Sequence, residues 1–457
     1  MKVLLLNPQS DTQKATPFPL GLMYLASYLE KFNHEVKIID LKSQKLTKQK
    51  LKEETLEFAP NFIGIRCLTF ESASAYSLAR FMKSLLPKTA VILGGPHASA
   101  KPLEILQQKP VDYVVIGEGE ITLKEIVSKK RPSTIKGIGY KEKGKIKFTQ
   151  PRDYIKNLDE IPFPAYSKID MQEYFNNPYT HAFFKAEKKI GQIFTSRGCP
   201  FHCIYCHKLF GKTIRFRSAE NVLKEIELLY HQYGIREFQI EDDSFNVNMN
   251  RAKSIMNLII KSNMKIKISF PNGIRADFVD EELAQNMKKA GVYSVCFGIE
   301  SGDLEIQKFI EKNLDLSRVK KAIELTTKNG IMTTGYFMIG FLGETREQVI
   351  RTIQFAKNSK LHMATFFKVI PYPNTKLYDL AKEQGFKMSN RPEDYTYTFS
   401  TMSNLNLSKV NSQELENLIK RAYREFFSPL RIMRLGLKAP NKHMLFVNFF
   451  RLLLWKN

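Results

Sequence analysis

Residues 191–206 read GQIFTSRGCPFHCIYC. The first five are a short, mostly apolar run of the kind that forms a buried strand. The chain then enters a loop carrying Cys199, Cys203 and Cys206. The spacing CxxxCxxC puts three thiols on one short loop, where they can converge on a single inorganic centre. A structural zinc site takes four protein ligands, and His202 or His207 would have to supply the fourth. A [4Fe–4S] cluster is usually held by four cysteines. Three would leave one iron open, as a catalytic metal keeps a position for its substrate. An open iron can chelate a small molecule and pass it an electron.

Toward the C-terminus, helical and extended patterns alternate. Helical spacing at 221–233 precedes the strand EFQIEDD (237–243), and helix 250–262 precedes KIKISF (265–270). Helix 280–290 leads to VYSVCFGIESG (292–302), helix 317–329 to MTTGYFMIGFLGET (332–345), and helix 346–358 to ATFFKVIPYPNT (364–375). Gly291 and Gly330 follow two of these helices, where glycine suits a C-cap. Counting GQIFT, about six strands alternate with helices, the pattern of a parallel sheet.

The cysteine loop, the strand before it and the repeat after it resemble the radical S-adenosylmethionine (radical SAM) enzymes. The resemblance implies a partial (β/α)6 barrel of TIM type. It implies a [4Fe–4S] cluster on Cys199, Cys203 and Cys206, with SAM chelated to the open iron. The reduced cluster would cleave SAM to methionine and a 5′-deoxyadenosyl radical, which takes a hydrogen from the substrate. Barrel sites lie at the carboxyl ends of strands. By resemblance, Glu241, Asp242 and Asp243 fall where the family contacts the SAM amino group. Arg275 suits the SAM carboxylate, since guanidinium pairs well with carboxylates. Glu300 and Ser301 suit ribose or amino contacts, and Tyr205 is placed to pack on adenine. Cys67 and Cys296 sit inside apolar strands, where a free cysteine behaves as a small hydrophobe.

Toward the N-terminus the same alternation recurs. VLLLN (3–7), EVKIID (35–40), FIGIRC (62–67), AVILGG (90–95) and DYVVIGEGE (112–120) read as strands, with helices at 20–32 and 73–86. This predicts an α/β, Rossmann-like, doubly wound sheet that binds its ligand at the strands' carboxyl ends. The loops there are Asn7-Pro8, Thr69-Phe70-Glu71, Gly94-Gly95-Pro96-His97 and Gly117-Glu118-Gly119. No GxGxxG follows the first strand and no GxxxxGK[ST] occurs, which weakens ordinary dinucleotide and nucleoside-triphosphate readings.

Joined to the barrel, these loops resemble the cobalamin-binding branch of the radical SAM enzymes. The likeness runs over residues 1–385, through Ile161-Pro162-Phe163-Pro164, Asp242-Asp243-Ser244-Phe245 and Pro371-Tyr372-Pro373-Asn374-Thr375. It implies cobalamin held at Asn7, Thr69, Gly94, Gly95, His97, Gly117, Glu118 and Gly119, between the domains and facing the cluster. The DxHxxG motif that gives cobalt a histidine is missing, so the corrin would bind without that ligand. The implied reaction is methylation of an unactivated carbon, with cobalamin-assisted cyclisation, rearrangement or oxidation as alternatives. The tRNA methylthiotransferases share CxxxCxxC but carry three further N-terminal cysteines; here only Cys67 precedes the motif. A non-catalytic binding module with a structural metal is a further alternative, and it would hold stoichiometric zinc.

The 457 residues suit about three domains at ~150 each. Hydrophobic residues at 43% and charged residues at 25% are globular values, which exclude a mainly disordered or polytopic membrane chain. Five cysteines, three of them crowded into eight residues, point to a reducing compartment rather than a disulfide framework. Val3–Leu6 is too short for a signal peptide, and a cytoplasmic location is expected. Seventy Lys and Arg against 46 Asp and Glu leave a net charge of +24, which favours anionic partners.

The segments read as a cobalamin-binding domain (1–130), a lysine-rich connector (131–190), the barrel (191–390) and a helical tail (391–457). No acid follows Glu425, while Arg431, Arg434, Lys438, Lys442, Arg451 and Lys456 alternate with bulky apolar residues up to Trp455. Such a tail either lies on the inner face of an anionic membrane or docks on its own barrel. The expected partners are a small-molecule or lipid-like substrate and an electron donor such as flavodoxin or ferredoxin. Nucleic acid is disfavoured.

Overall fold

The computed structural model describes residues 1–9, 17–176, 183–206, 209–389, 395 and 405–438. Two compact units emerge. The first is Met1–Tyr179 with Leu209–Gly211 and Ser389–Thr396; the second is the remainder.

The first unit opens with β1 (Lys2–Asn7), α1 (Leu20–Glu30), β2 (Glu35–Asp40), α2 (Lys48–Phe58), β3 (Phe62–Arg66) and α3 (Ser72–Leu85). It continues with β4 (Ala90–Gly94), α4 (Pro96–Ala100), α5 (Pro102–Gln107), β5 (Tyr113–Val115) and α6 (Glu120–Val127). A hairpin, β6 (Ile138–Glu142) and β7 (Lys145–Phe148), and α7 (Met171–Asn176) complete it. The sheet order is β2-β1-β3-β4-β5-β6-β7. The first five strands are parallel, and the hairpin adds antiparallel to β5.

This order reverses direction between β1 and β3, the switch point at which doubly wound sheets open a ligand crevice. Val3 to Leu6 are fully buried because helices cover both faces. That is why the run is continuous rather than alternating. The stretch 131–190, expected as a connector, instead gives its residues through Tyr179 to the first unit. The helix α2 was not anticipated, since only Leu51 and Thr55 of KQKLKEETLEF are buried.

The second unit begins with β8 (Ile190–Ile193) and a two-stranded ribbon, β9 (Ser196–Arg197) with β10 (Arg215–Phe216). Then follow α8 (Ala219–Gln232), β11 (Glu237–Ile240), α9 (Met249–Lys261), β12 (Lys267–Ile274), α10 (Glu281–Lys289) and β13 (Val292–Glu300). Next come α11 (Leu304–Phe309), α12 (Leu316–Lys328), β14 (Met332–Ile339), α13 (Arg346–Asn358), β15 (Met363–Lys368) and α14 (Lys376–Glu383). Helices α15 (Ser412–Phe426) and α16 (Pro429–Lys438) close the described chain.

The six long strands pair in the order β15-β14-β13-β12-β11-β8, all parallel. That is the open, partial (β/α)6 barrel. Its helices start cleanly: Ser218, Asn248, Asp280, Asp315 and Thr345 each accept a backbone amide at the N-cap. Such a cap contributes about 1 kcal/mol.

Helix α16 docks on its own barrel. Its Leu435 packs with Phe184, Met332 and Met363, at the amino-terminal ends of β14 and β15. Lys442, Arg451, Trp455 and Lys456 lie outside the described residues. No helix among the described residues is long and apolar enough to cross a membrane.

Candidate cofactor and active site

The cysteine loop leaves β8 and is tied down within a few residues. Asp242, just beyond β11, accepts from the Thr195 amide at 2.6 Å, the Ser196 hydroxyl at 2.6 Å and the Thr195 hydroxyl. Arg251 donates to the Thr195 carbonyl at 2.6 Å and the Arg217 carbonyl at 2.7 Å. Ser244 donates to Cys199 Sγ at 3.3 Å.

None of the five cysteines is in a disulfide. Cys203 is buried, Cys199 is half-buried and Cys206 is exposed. The surrounding protein pushes the Cys206 thiol up to about 12, and charge on Cys203 and Cys199 adds to that. The three thiols are therefore close enough to repel one another as thiolates, and a cationic iron centre relieves that repulsion. Among the described residues no three His, Cys, Asp or Glu gather around one ion position. A tetrahedral zinc needs its ligands at one point. A four-iron cluster takes each thiolate on a different iron, so this donor set fits the cluster. His202 is exposed, and His207 lies outside the described residues.

β11 ends at Ile240, so Glu241, Asp242 and Asp243 form the loop at its carboxyl end. Burial and then the charge of Asp242 push the Asp243 carboxyl up to about 6, against a bond from the Gly198 amide. Glu241 lies within 3.5 Å of Gln192 Nε2. Asp242, by contrast, is 1% exposed and spends its oxygens on the cysteine loop. It is a positioning residue rather than an open contact for an amino group.

At the end of β13, Glu300 pairs with Lys312 at 2.7 Å, and Lys312 reaches Tyr205 Oη at 3.3 Å. Burial pushes the Cys203 thiol up, and the Lys312 ammonium works against that rise. Gly298 makes room: a Cβ there would meet Glu300 Oε1 at 2.9 Å and Lys312 Nζ at 3.0 Å. Tyr205 is tilted against Phe341, their centroids 5.9 Å apart.

Two expected SAM residues are engaged elsewhere. Arg275 forks onto Asp277 at 2.9 and 2.6 Å, and its guanidinium stacks 3.9 Å over Phe201. Ser301 is fully buried, sharing a hydrogen bond with the Thr352 hydroxyl and accepting from the Asp303 amide. Sequence reasoning missed Lys312, which sits in a polar loop with no pattern to mark it. Ser244 was within reach, since it stands inside the Asp242–Phe245 motif. Cys67 and Cys296 are buried in apolar surroundings, as expected.

In the first unit, the carboxyl ends of β1, β3 and β4 carry buried polar side chains. Asn7 donates to Asp40 at 2.8 Å, and Tyr174 donates to the same carboxylate at 2.6 Å. Lys42 and Arg66 both pair with Glu71, at the end of the turn that begins with Thr69. His97 is 4% exposed, with Nε2 3.1 Å from Tyr76 Oη. Burial holds its pKa below the ordinary histidine value.

Gly95 has φ +108, and a Cβ there would meet the Cys67 carbonyl at 3.1 Å, so no other residue fits this turn. Beside Gly94 and Gly95, the Gly117 amide donates to Ser99 at 2.9 Å, and open space surrounds the position of its missing Cβ. Glu118 accepts from the Ile155 amide at 2.8 Å, and Gly119 lies close against Leu25. Asn7 Oδ1, Arg66 Nε and His97 Nδ1 are buried without a partner among the described residues. Orphaned polar atoms beside an open glycine loop fit a broad ligand fringed with amides, as a corrin is.

The comparisons with known proteins fall on the same two units. The radical SAM superfamily matches residues 193–356, and the B12 binding domain matches residues 11–127. An uncharacterized methyltransferase of Pyrococcus horikoshii is 36% identical over 440 residues, covering 93% of this chain and 92% of its own. The cytidylyl-2-hydroxyethylphosphonate methyltransferase of Streptomyces wedmorensis is 28% identical, covering 84% and 82%. Among solved structures, the radical SAM methyltransferase TsrM of Kitasatospora setae, with cobalamin and a [4Fe–4S] cluster bound, superposes with a TM-score of 0.74. It is 19% identical and covers 94% of this chain and 89% of that one.

Proposed function

The chain belongs to the cobalamin-binding radical SAM enzymes, and from that premise we propose that it methylates an unactivated carbon of a small molecule. The observation that carries this reading is the full-length likeness to the Pyrococcus horikoshii protein named as a methyltransferase. The phosphonate-nucleotide substrate in the name of the Streptomyces wedmorensis relative suits an anionic substrate for a chain of charge +24.

When bound, the cluster and SAM supply a 5′-deoxyadenosyl radical that takes hydrogen, and cobalamin supplies the methyl group. The protein's part is placement. Cys199, Cys203 and Cys206 hold the cluster on a loop that Asp242 and Arg251 keep in shape. Lys312 and Glu300 hold a neutralised pair beside Tyr205, so that SAM meets a fixed polar wall. Glu241 and Asp243 offer carboxylates to its amino group. In the first unit, Asn7, Thr69, Gly94, Gly95, His97, Gly117 and Glu118 take cobalamin, with no histidine to cobalt from a DxHxxG motif. Electrons come from a reduced flavodoxin or ferredoxin in the cytoplasm. The C-terminal tail (391–457) supplies the contact with the membrane face where the substrate is lipid-like.

The test is anaerobic reconstitution with iron, sulfide and cobalamin, followed by spectroscopy and a SAM-cleavage assay. Wild-type protein is expected to show iron–sulfur and corrin absorption and to release 5′-deoxyadenosine. Cys203→Ala is expected to lose the iron–sulfur absorption and SAM cleavage while keeping the corrin. SAM cleavage that survives Cys203→Ala would overturn the reading.

A further inference from the structure

A cavity lies at the opposite pole of the barrel from the cysteine loop. Its volume is about 770 Å³, and it sits between α12, the loop 359–362 and α16. Leu435 of α16 packs on the first residues of β14 and β15, which fixes this as the amino-terminal pole. Six of its twelve lining residues are Lys or Arg, and the one acid, Glu324, is already paired with Lys360 at 3.1 Å.

Capping helix ends explains part of this charge. Arg431 Nη2 donates to the Lys357 and Ser359 carbonyls, at 2.9 and 2.8 Å, at the C-terminal end of α13. It does not explain the rest. Arg431 Nη1 is buried without a partner among the described residues. Lys321, Lys328, Arg434 and Lys438 are exposed at its rim and make no ion pair or hydrogen bond among the described residues. His362 adds a neutral donor: its Nδ1 accepts from the Thr333 amide at 3.1 Å, which leaves the proton on Nε2.

Unpaired cations that converge on a cavity repel one another unless an anion joins them. A guanidinium with one nitrogen free, flanked by ammonium groups and an N–H donor, matches a phosphate's oxygens. We propose that this cavity binds a phosphate group, and that a ligand enters it at a site separate from the reaction proposed above. Leu430 and Met433, 54% and 57% exposed on the same helix, favour a phosphate carried by an anionic phospholipid over a free one.

The experiment uses the full-length protein in three forms: wild type, the cavity pair Arg434→Glu with Lys438→Glu, and a control pair, Lys50→Glu with Lys52→Glu on α2. The control changes the net charge by the same amount. Binding is read by co-sedimentation with phosphatidylcholine vesicles, with and without phosphatidylglycerol, and by calorimetry with inorganic phosphate and pyrophosphate. The cavity pair is expected to weaken phosphate-dependent binding by at least about tenfold and the control pair by far less. Loss with phosphatidylglycerol vesicles identifies a lipid headgroup as the source. Loss with inorganic phosphate or pyrophosphate alone identifies a soluble one. No binding by wild type to any probe, or equal loss in both pairs, overturns the proposal. Unchanged iron–sulfur absorption in all three shows that the fold is intact.

Discussion

Glu300 has φ +66, a left-handed conformation that a non-glycine residue rarely takes. Strain of this kind persists where the surroundings over-determine it, and here the Lys312 pair does so. Both side chains are 11% exposed. Removing one partner leaves the other charge buried and uncompensated, at a cost of about 3 kcal/mol or more. Lys312→Met is therefore expected to lower the unfolding midpoint strongly and to raise the KM for SAM. Lys312→Met with Glu300→Gln is expected to recover most of the stability but not the KM, as denaturant titration and steady-state assays would show.

Glu344 offers a second residue-level check. Its Oε2 accepts from the Gly340 and Phe341 amides at 2.6 and 3.0 Å, while Oε1 is buried without a partner among the described residues. Burial pushes the carboxyl from 4.5 up to about 7. The folded state thus holds this proton more tightly than the unfolded state. Its stability contribution is present below pH 4.5 and is lost as pH rises to about 7, by about 3 kcal/mol in total. Glu344→Gln is expected to flatten that slope in midpoints measured across the range. At this scale the sequence revealed the cysteines, because their spacing is their chemistry. It could not separate Asp242 from Asp243, since adjacent carboxylates differ only in which donors the fold brings to them.

Among the elements, the ends of strands matter more than their middles. The run EFQIEDD reads as one strand, yet it stops at Ile240, and Asp242 beyond it holds the start of the cysteine loop. Asn at position 242 keeps one acceptor oxygen for three donors. Asp242→Asn is expected to cost about 2 kcal/mol and to speed loss of iron–sulfur absorption in air, while the cluster still assembles. Short apolar runs such as VLLLN and EVKIID made the strands legible, as did the glycines after α10 and α12. The helix α2 was hidden, because a stripe of two buried residues leaves almost no period to read. The membership of the hairpin β6–β7 was not legible. Pairing to β5 is a long-range choice that local pattern does not encode.

For the whole molecule, the charge of +24 remains a physical constraint. Like charges spread over a compact chain repel, and salt screens them. The Debye length falls from ~30 Å at low salt to ~8 Å at physiological strength. The melting temperature is therefore expected to rise over that interval, as calorimetry in graded sodium chloride would show. The two units divide near Tyr179, inside the stretch 131–190 that reads as a connector. Composition could not place it, because the lysines of 131–176 cover the outside of the first unit instead of marking a break.

The tethering of the cysteine loop by Asp242, Arg251 and Ser244 has a consequence for how the protein is made. Bonds among protein groups hold that loop, so its shape does not wait for metal. Iron would meet a loop that protein bonds have already shaped, which makes its delivery a late step of maturation. A chain that loses its cluster to oxygen then remains a vessel ready for repair rather than a casualty for the proteases.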